Sequence, residues 1–151
     1  MALDDDIRAL SGIRLFRSLT PEQLRLLAFG AENIHLPAGR DLFREETAAD
    51  CSYIVVRGRL ATFRTVGGER VVAGMVRPGQ VLDEMALIVD VRRSVGAYAD
   101  IDTDVLRLNR TLFRRILEEY PDVAVALHQQ ITDEFANMAD RIVNLKPRFD
   151  R

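Results

Sequence analysis

The spacing of apolar residues changes twice along the chain and divides it into three parts. In LTPEQLRLLAFGA, Leu24, Leu27 and Ala28 recur at helical spacing, with Thr20 placed to cap, Pro21 in the first turn and Gln23 three residues after the cap. Ahead of it, Ile7, Leu10, Ile13, Leu15 and Phe16 predict a shorter helix or turn on the same core, interrupted at Gly12. From residue 33 to 108 the pattern becomes short β-branched or aromatic runs: YIVV, ATFRTV, RVVAGMV, VGAYA and DVLRL. Turn residues at 37–39, Gly58, Gly67-Gly68 and Pro78-Gly79 punctuate them, and this spacing predicts an antiparallel β-sandwich or roll. Helical spacing returns in NRTLFRRILEEY, where Leu112, Phe113, Ile116 and Leu117 form the stripe and Asn109 or Thr111 is placed to cap. Pro121 restarts the chain into a longer helix over 122–145, in which Ala124, Ile131, Met138 and Leu145 fall seven apart beside Leu127, Phe135 and Ile142. That stripe suits either packing on the chain's own barrel or a two-helix seam with a second copy.

Composition narrows the function classes. A chain of 151 residues, 48% hydrophobic and 29% charged, has the material for one ordinary core, which excludes a disordered or fibrous protein. A formal net charge of -2 gives no basic field for wholesale binding to nucleic acid. The acidic start MALDDDIRAL lacks a long apolar run, so neither a signal peptide nor a membrane span is expected, and the location expected is cytoplasmic. One cysteine, Cys51, gives no disulfide framework and is expected in the core. His35 and His128 lie in different parts and supply a metal site poorly; both are expected at the surface or an interface. No GxSxG, Walker loop or GxGxxG is present, so no catalytic or metal-ligating residues are assigned and an enzyme is not expected.

The stretch LDEMALIVDVRRSVGAYAD, Leu82 to Asp100, carries the candidate chemistry. Asp83 and Glu84 are adjacent, and in a strand they would point to opposite faces, the wrong geometry for a cooperating acid and base. A short apolar turn such as EMALI offers free backbone N–H groups to an anion at its start. Arg93 can fold back over the same spot, with Ser94 adding a hydroxyl, and Glu84 can accept from a sugar hydroxyl. The same residues also suit an internal salt bridge from Arg93 to Asp83 or Glu84 in an unliganded roll.

At these positions the chain resembles the cyclic-nucleotide-binding domain family, the regulatory domain of the bacterial catabolite activator protein and of eukaryotic cyclic-nucleotide-dependent kinases and channels. The family cassette runs approximately Phe-Gly-Glu-Leu-Ala-Leu-Leu, a short loop, then Arg-Ser-Ala. Here it reads Leu82-Asp83-Glu84-Met85-Ala86-Leu87-Ile88, then Val89 to Arg92, then Arg93-Ser94-Val95. LFRSLTPEQLRLLA is similar to the family's leading helix, and LPAGRDLFREETAADCSYIVVRGRLATF to the first half of its β-roll, with Gly58 at a tight turn.

The resemblance implies a fold that is mainly β with flanking α: an eight-stranded antiparallel β-roll, jelly-roll-like and built as a double-stranded β-helix. An N-terminal helical part (1–32), the roll (33–108) and C-terminal helices (109–147) would form a single domain over 1–151, without a DNA-binding domain. It implies a cyclic nucleotide, cAMP or cGMP, or a related small anion as ligand, with no other cofactor. Glu84 would hold the ribose 2'-hydroxyl, Arg93 the cyclic phosphate and Ser94 a phosphate oxygen, helped by the backbone at Met85, Ala86 and Val95. Signalling would run through the C-terminal helix, which would also form a homodimer; no membrane or nucleic-acid partner is implied. The alternative is a degenerate domain that binds no nucleotide and serves as a dimerisation or protein-interaction module.

Three departures from the pattern bear on that choice. Asp83 stands where the family has glycine close to the ligand, and a non-glycine residue held at positive φ costs on the order of 1–3 kcal/mol. Thr47 and Ala48 replace the glycine of the family's FREEG segment, and Gly96 follows Val95 where a polar residue is common.

Overall fold

The computed structural model describes residues 2–149, with side chains described over 3–143. The chain separates into two compact units, 1–116 and 117–151. The first opens with helix α1 (Ala2–Ser11), broken at Gly12, followed by a 3-10 turn at Arg14–Phe16 and helix α2 (Pro21–Gly30). The expected capping box forms: the Thr20 hydroxyl accepts from the Gln23 N–H at 3.2 Å, and the Gln23 side chain accepts from the Thr20 N–H at 2.9 Å.

Ten strands follow, all antiparallel to their neighbours: β1 (Glu32–Leu36), β2 (Asp41–Phe43), β3 (Ala48–Ala49), β4 (Cys51–Arg57), β5 (Leu60–Val66), β6 (Glu69–Val76), β7 (Val81–Leu82), β8 (Val91–Arg92), β9 (Gly96–Ala99) and β10 (Thr103–Asn109). They form two four-stranded sheets, ordered β1-β10-β4-β7 and β2-β9-β5-β6, and the short pair β3-β8. This is the mainly antiparallel β-roll with helices at both ends that the sequence implied, with ten described strands in place of eight. The surplus comes from two-residue pairings such as β3 with β8, too brief for a period of two to register in the sequence.

Between the sheets lies a core built from Leu36, Cys51, Val55, Leu60, Leu82, Ala97 and Val105, among others. Cys51 is thus interior, at 2% exposure, as expected of a lone thiol. Strand β4 is buried over its first five residues because the roll interior takes Cys51, Tyr53 and Val55 while α1 packs against the strand from outside. Gly58 has φ +90°, and a Cβ there would lie 2.4 Å from the carbonyl oxygen of Asp102, so the β4-β5 turn requires glycine.

Helix α3 (Arg110–Glu119) starts from β10, capped by the Asn109 side chain, which accepts from the Leu112 N–H at 2.8 Å. Phe113, 1% exposed, meets the Phe16 ring at 5.6 Å and ties the helix to the N-terminal turn. In the second unit, α4 (Pro121–Phe149) begins at its proline, as the sequence indicated. Val125, Phe135, Met138, Ile142 and Val143 on it are exposed; the expected stripe residue Leu145 lies outside the described side chains. Among the described residues no helix is long and apolar enough to cross a membrane.

Candidate functional site

The site forms where β2, β4 and the loop after β8 converge on the turn that follows β7. Arg93 leaves β8 with its backbone fixed on both sides: its N–H donates to the Thr47 carbonyl at 2.9 Å, and its carbonyl accepts from the Glu46 N–H at 2.8 Å. Glu46 itself has φ +67°, so the left-handed residue in this loop is a glutamate rather than the glycine of the family segment.

That anchoring turns the Arg93 side chain inward, where it is only 4% exposed. Its guanidinium carbon lies 4.0 Å from the Phe43 ring centroid and 5.3 Å from that of Tyr53, and these rings stack on each other at 5.6 Å. Nη1 donates to the Asp83 carboxylate at 2.5 Å; Nη2 donates to the Cys51 carbonyl and reaches the Cys51 sulfur, both at 3.3 Å. A guanidinium survives such burial because its faces rest on π-systems and its edge finds acceptors. Burial also pushes the Tyr53 phenol above its ordinary pKa, so the ring bordering Arg93 is neutral at pH 7.

Asp83 is the anion on this cation. It adopts φ 57° and ψ 50°, the left-handed conformation a glycine would take, and aspartate is among the few residues that visit it readily. Its carbonyl accepts from the Ser52 hydroxyl at 2.7 Å and from the Ala86 N–H at 3.0 Å, which starts the 3-10 turn Glu84–Leu87. The amide of Ala86, expected to face a phosphate, is therefore engaged within the turn.

Of the residues singled out in the sequence, Asp83 and Arg93 are brought into contact, and the internal salt bridge with Asp83 is the arrangement present. Glu84 lines an open depression bounded by Ile13, Arg14, Val76 and Gln80, of which Arg93 is not part. Met85 and Ser94 are exposed, Ala86 is buried, and Val95 is half-buried. His35 and His128 are exposed as expected, His35 holding Asp104 at 2.7 Å. Among the described residues no group of three or more His, Cys, Asp or Glu is placed to hold a metal ion.

Gly96 has a steric reason. A Cβ there would lie 2.2 Å from Cζ of the buried Phe63 ring, so this chain packs an aromatic face where the family carries a polar side chain. Sequence reasoning named Asp83 as a partner of Arg93 but missed the aromatic rings and Cys51 around it. Phe43 and Tyr53 follow from the alternation of β2 and β4, but nothing local links those strands to the cassette.

The family model for the cyclic nucleotide-binding domain matches residues 33–120. A cyclic nucleotide-binding-like protein from Brucella abortus is 56% identical with a TM-score of 0.73, covering 76% of this chain and 99% of that one. The cyclic AMP receptor protein of Thermus thermophilus is 30% identical over 116 residues, 76% of this chain and 54% of that protein. The regulatory domain of Toxoplasma gondii PKA, crystallised with cAMP, is 28% identical at a TM-score of 0.69, covering 76% of this chain and 44% of that one. The chain thus spans about half of the Thermus receptor protein, and it spans 9% of the Aspergillus fumigatus lysophospholipase nte1, which it also matches.

Proposed function

The chain belongs to the cyclic nucleotide-binding domain family, and from that premise we propose that it is a regulatory, non-catalytic domain whose ligand competes with Asp83 for Arg93. The observation that carries this reading is the buried guanidinium on its aromatic shelf, already holding an anion through Nη1. A cyclic phosphodiester offers two free oxygens and one negative charge, as a carboxylate does, so a cyclic nucleotide, cAMP or cGMP, or a related small anion is the ligand class. The names of the Thermus receptor protein and of the Toxoplasma complex support cAMP as the first ligand to try.

In the liganded state Arg93 takes the cyclic phosphate and Ser94 one of its oxygens. The Glu84 turn reorients so that its carboxylate meets the ribose 2'-hydroxyl, with the backbone at Met85, Ala86 and Val95 closing the cradle. The released Asp83 moves away from the phosphate. The output runs through the C-terminal helices, with the apolar residues of α4 available to a second copy, in a single cytoplasmic domain.

A second reading is favoured by Asp83 itself: the pair with Arg93 seals the cassette, and the domain acts as an interaction module without ligand. Thermal melts and calorimetric titration with cAMP and cGMP to millimolar separate the two. Ligand at a hundredfold above Kd adds about 2.7 kcal/mol, roughly 5–11 °C for a chain of this size. A saturable shift that is lost in Arg93→Ala supports the sensor. No shift in either the native chain or Asp83→Gly leaves the interaction module.

A further inference from the structure

Arg110, the first residue of α3, holds the far end of the same turn that Arg93 holds at its start. Its Nε donates to the Ala86 carbonyl at 2.7 Å, and its Nη2 to the carbonyls of Ala49 at 2.8 Å and Val89 at 2.9 Å. Nη1 pairs with Asp90, and the backbone N–H of Arg110 donates to the Asp50 carbonyl at 2.8 Å. The Arg110 side chain is 15% exposed; its bonds to Ala86 and Ala49 are partly buried, while those to Val89 and Asp90 face solvent. One guanidinium therefore gathers β3, the end of the cassette turn, the loop after it and the origin of α3. A planar fork of five donors can do this, whereas a lysine ammonium on a flexible stem cannot hold all these acceptors in one geometry.

We propose that Arg110 is a positioning residue that passes the state of the Asp83–Arg93 pair to α3. The turn between the two arginines is four residues long, Glu84–Leu87, and both its ends are gripped by a guanidinium. Asp83 leaving Arg93 shifts the turn's start, and a 3-10 turn this short moves its Ala86 carbonyl with it, and with that the Val89 carbonyl in the loop that follows. Arg110 then either follows, tilting the helix it begins, or loses its partly buried bond to the Ala86 carbonyl. Packed elements of this kind switch between arrangements rather than deform smoothly. The proposal rests on the cassette being the regulated site, but its test uses no ligand.

The test is amide hydrogen exchange on the full chain for the native protein, Asp83→Asn, Arg110→Ala and the double variant. Asp83→Asn is expected to speed exchange at Phe113 to Ile116 by at least about fivefold more than at the core amides of β4, which report global unfolding; fivefold is the low end of site-to-site coupling. In the Arg110→Ala background it is expected to speed only the cassette amides and to leave α3 unchanged, read at amides still protected in both. Phe113→Leu, which loosens the helix through packing alone, should keep the response to Asp83→Asn; a merely structural Arg110 would behave the same way. If Arg110→Ala does not fold, Arg110→Lys is read in its place, with the same loss of transmission expected. An equal response in both backgrounds, or no response in the native background, overturns the proposal. A failed nucleotide titration with this coupling intact would sink the ligand reading alone.

Discussion

Substituting Asp83→Asn removes the charge from the buried pair without introducing a residue foreign to this backbone conformation. Asparagine tolerates the left-handed conformation of this position as well as aspartate does, and the Ser52 bond is to the backbone carbonyl, so it persists. Arg93 is left charged at 4% exposure, with the Cys51 carbonyl, a neutral amide oxygen and two rings. Breaking a buried pair by removing one partner typically costs about 3–5 kcal/mol. Here the Asp83 side chain is 18% exposed, and the amide oxygen of the introduced asparagine still accepts one charge-assisted bond, which lowers the expected loss to roughly 2–3 kcal/mol. For a chain this long that is a fall in Tm of roughly 4–12 °C. Urea and thermal melts at pH 7 read it, and Arg93→Met supplies the other edge of a double-mutant cycle. In the Arg93→Met background Asp83→Asn should cost under about 0.5 kcal/mol, since the carboxylate it replaces has already lost its cation and no guanidinium is stranded. A loss below about 0.5 kcal/mol with Arg93 present, or equal losses in both backgrounds, would refute the pair as what holds this arginine.

Gly96→Ala should cost roughly 1–3 kcal/mol in urea melts, because the new methyl meets the buried Phe63 ring and forces it to shift; Phe63→Leu in the same chain should recover part of it. Unchanged stability would mean the strand slides freely there. Phe43→Leu should lose about 2 kcal/mol, from cation–π contact with Arg93 and stacking on Tyr53, and the loss should shrink once Arg93→Met is present. Asp6 is a third case, buried at 4% exposure, where burial and then Asp5 raise its pKa above the ordinary 3.8. The folded chain then holds this proton more tightly than the unfolded one, so stability falls as pH rises through the window above 3.8. Asp6→Asn should therefore be more stable than the native chain at pH 7 and lose that advantage near pH 3; an advantage independent of pH would contradict the assignment.

Much of the scaffold was legible because local chemistry fixes it. The Thr20–Gln23 box, the Gly67-Gly68 hairpin and the restart at Pro121 each rest on a backbone requirement that few residue types meet. The cassette was legible as an ordered set of residue types, and both readings of Arg93 followed from it. Seeing which carboxylate Arg93 contacts needed the third dimension. Arg93 turns to Asp83 because β8 pairs with β3 and because Phe43 and Tyr53, from two separate strands, form a shelf beneath it. Glu84 faces a depression beside Ile13 and Arg14, which no spacing within the cassette encodes. Arg110 left no trace at all in the sequence, since the carbonyls it gathers are common to every residue type.

The central claim is that a carboxylate of the chain itself occupies the place of the ligand's phosphate. Two anions about 5 Å apart at an effective dielectric of about 20 repel by about 3 kcal/mol, about a hundredfold in affinity. The direct measurement is the Kd for cAMP of the native chain and of Asp83→Gly, by calorimetry in one buffer, with Arg93→Ala as the control. The account expects Asp83→Gly to bind about a hundredfold more tightly than the native chain and Arg93→Ala to bind neither cAMP nor cGMP. Equal constants for the native chain and Asp83→Gly, or binding that survives Arg93→Ala, would contradict it.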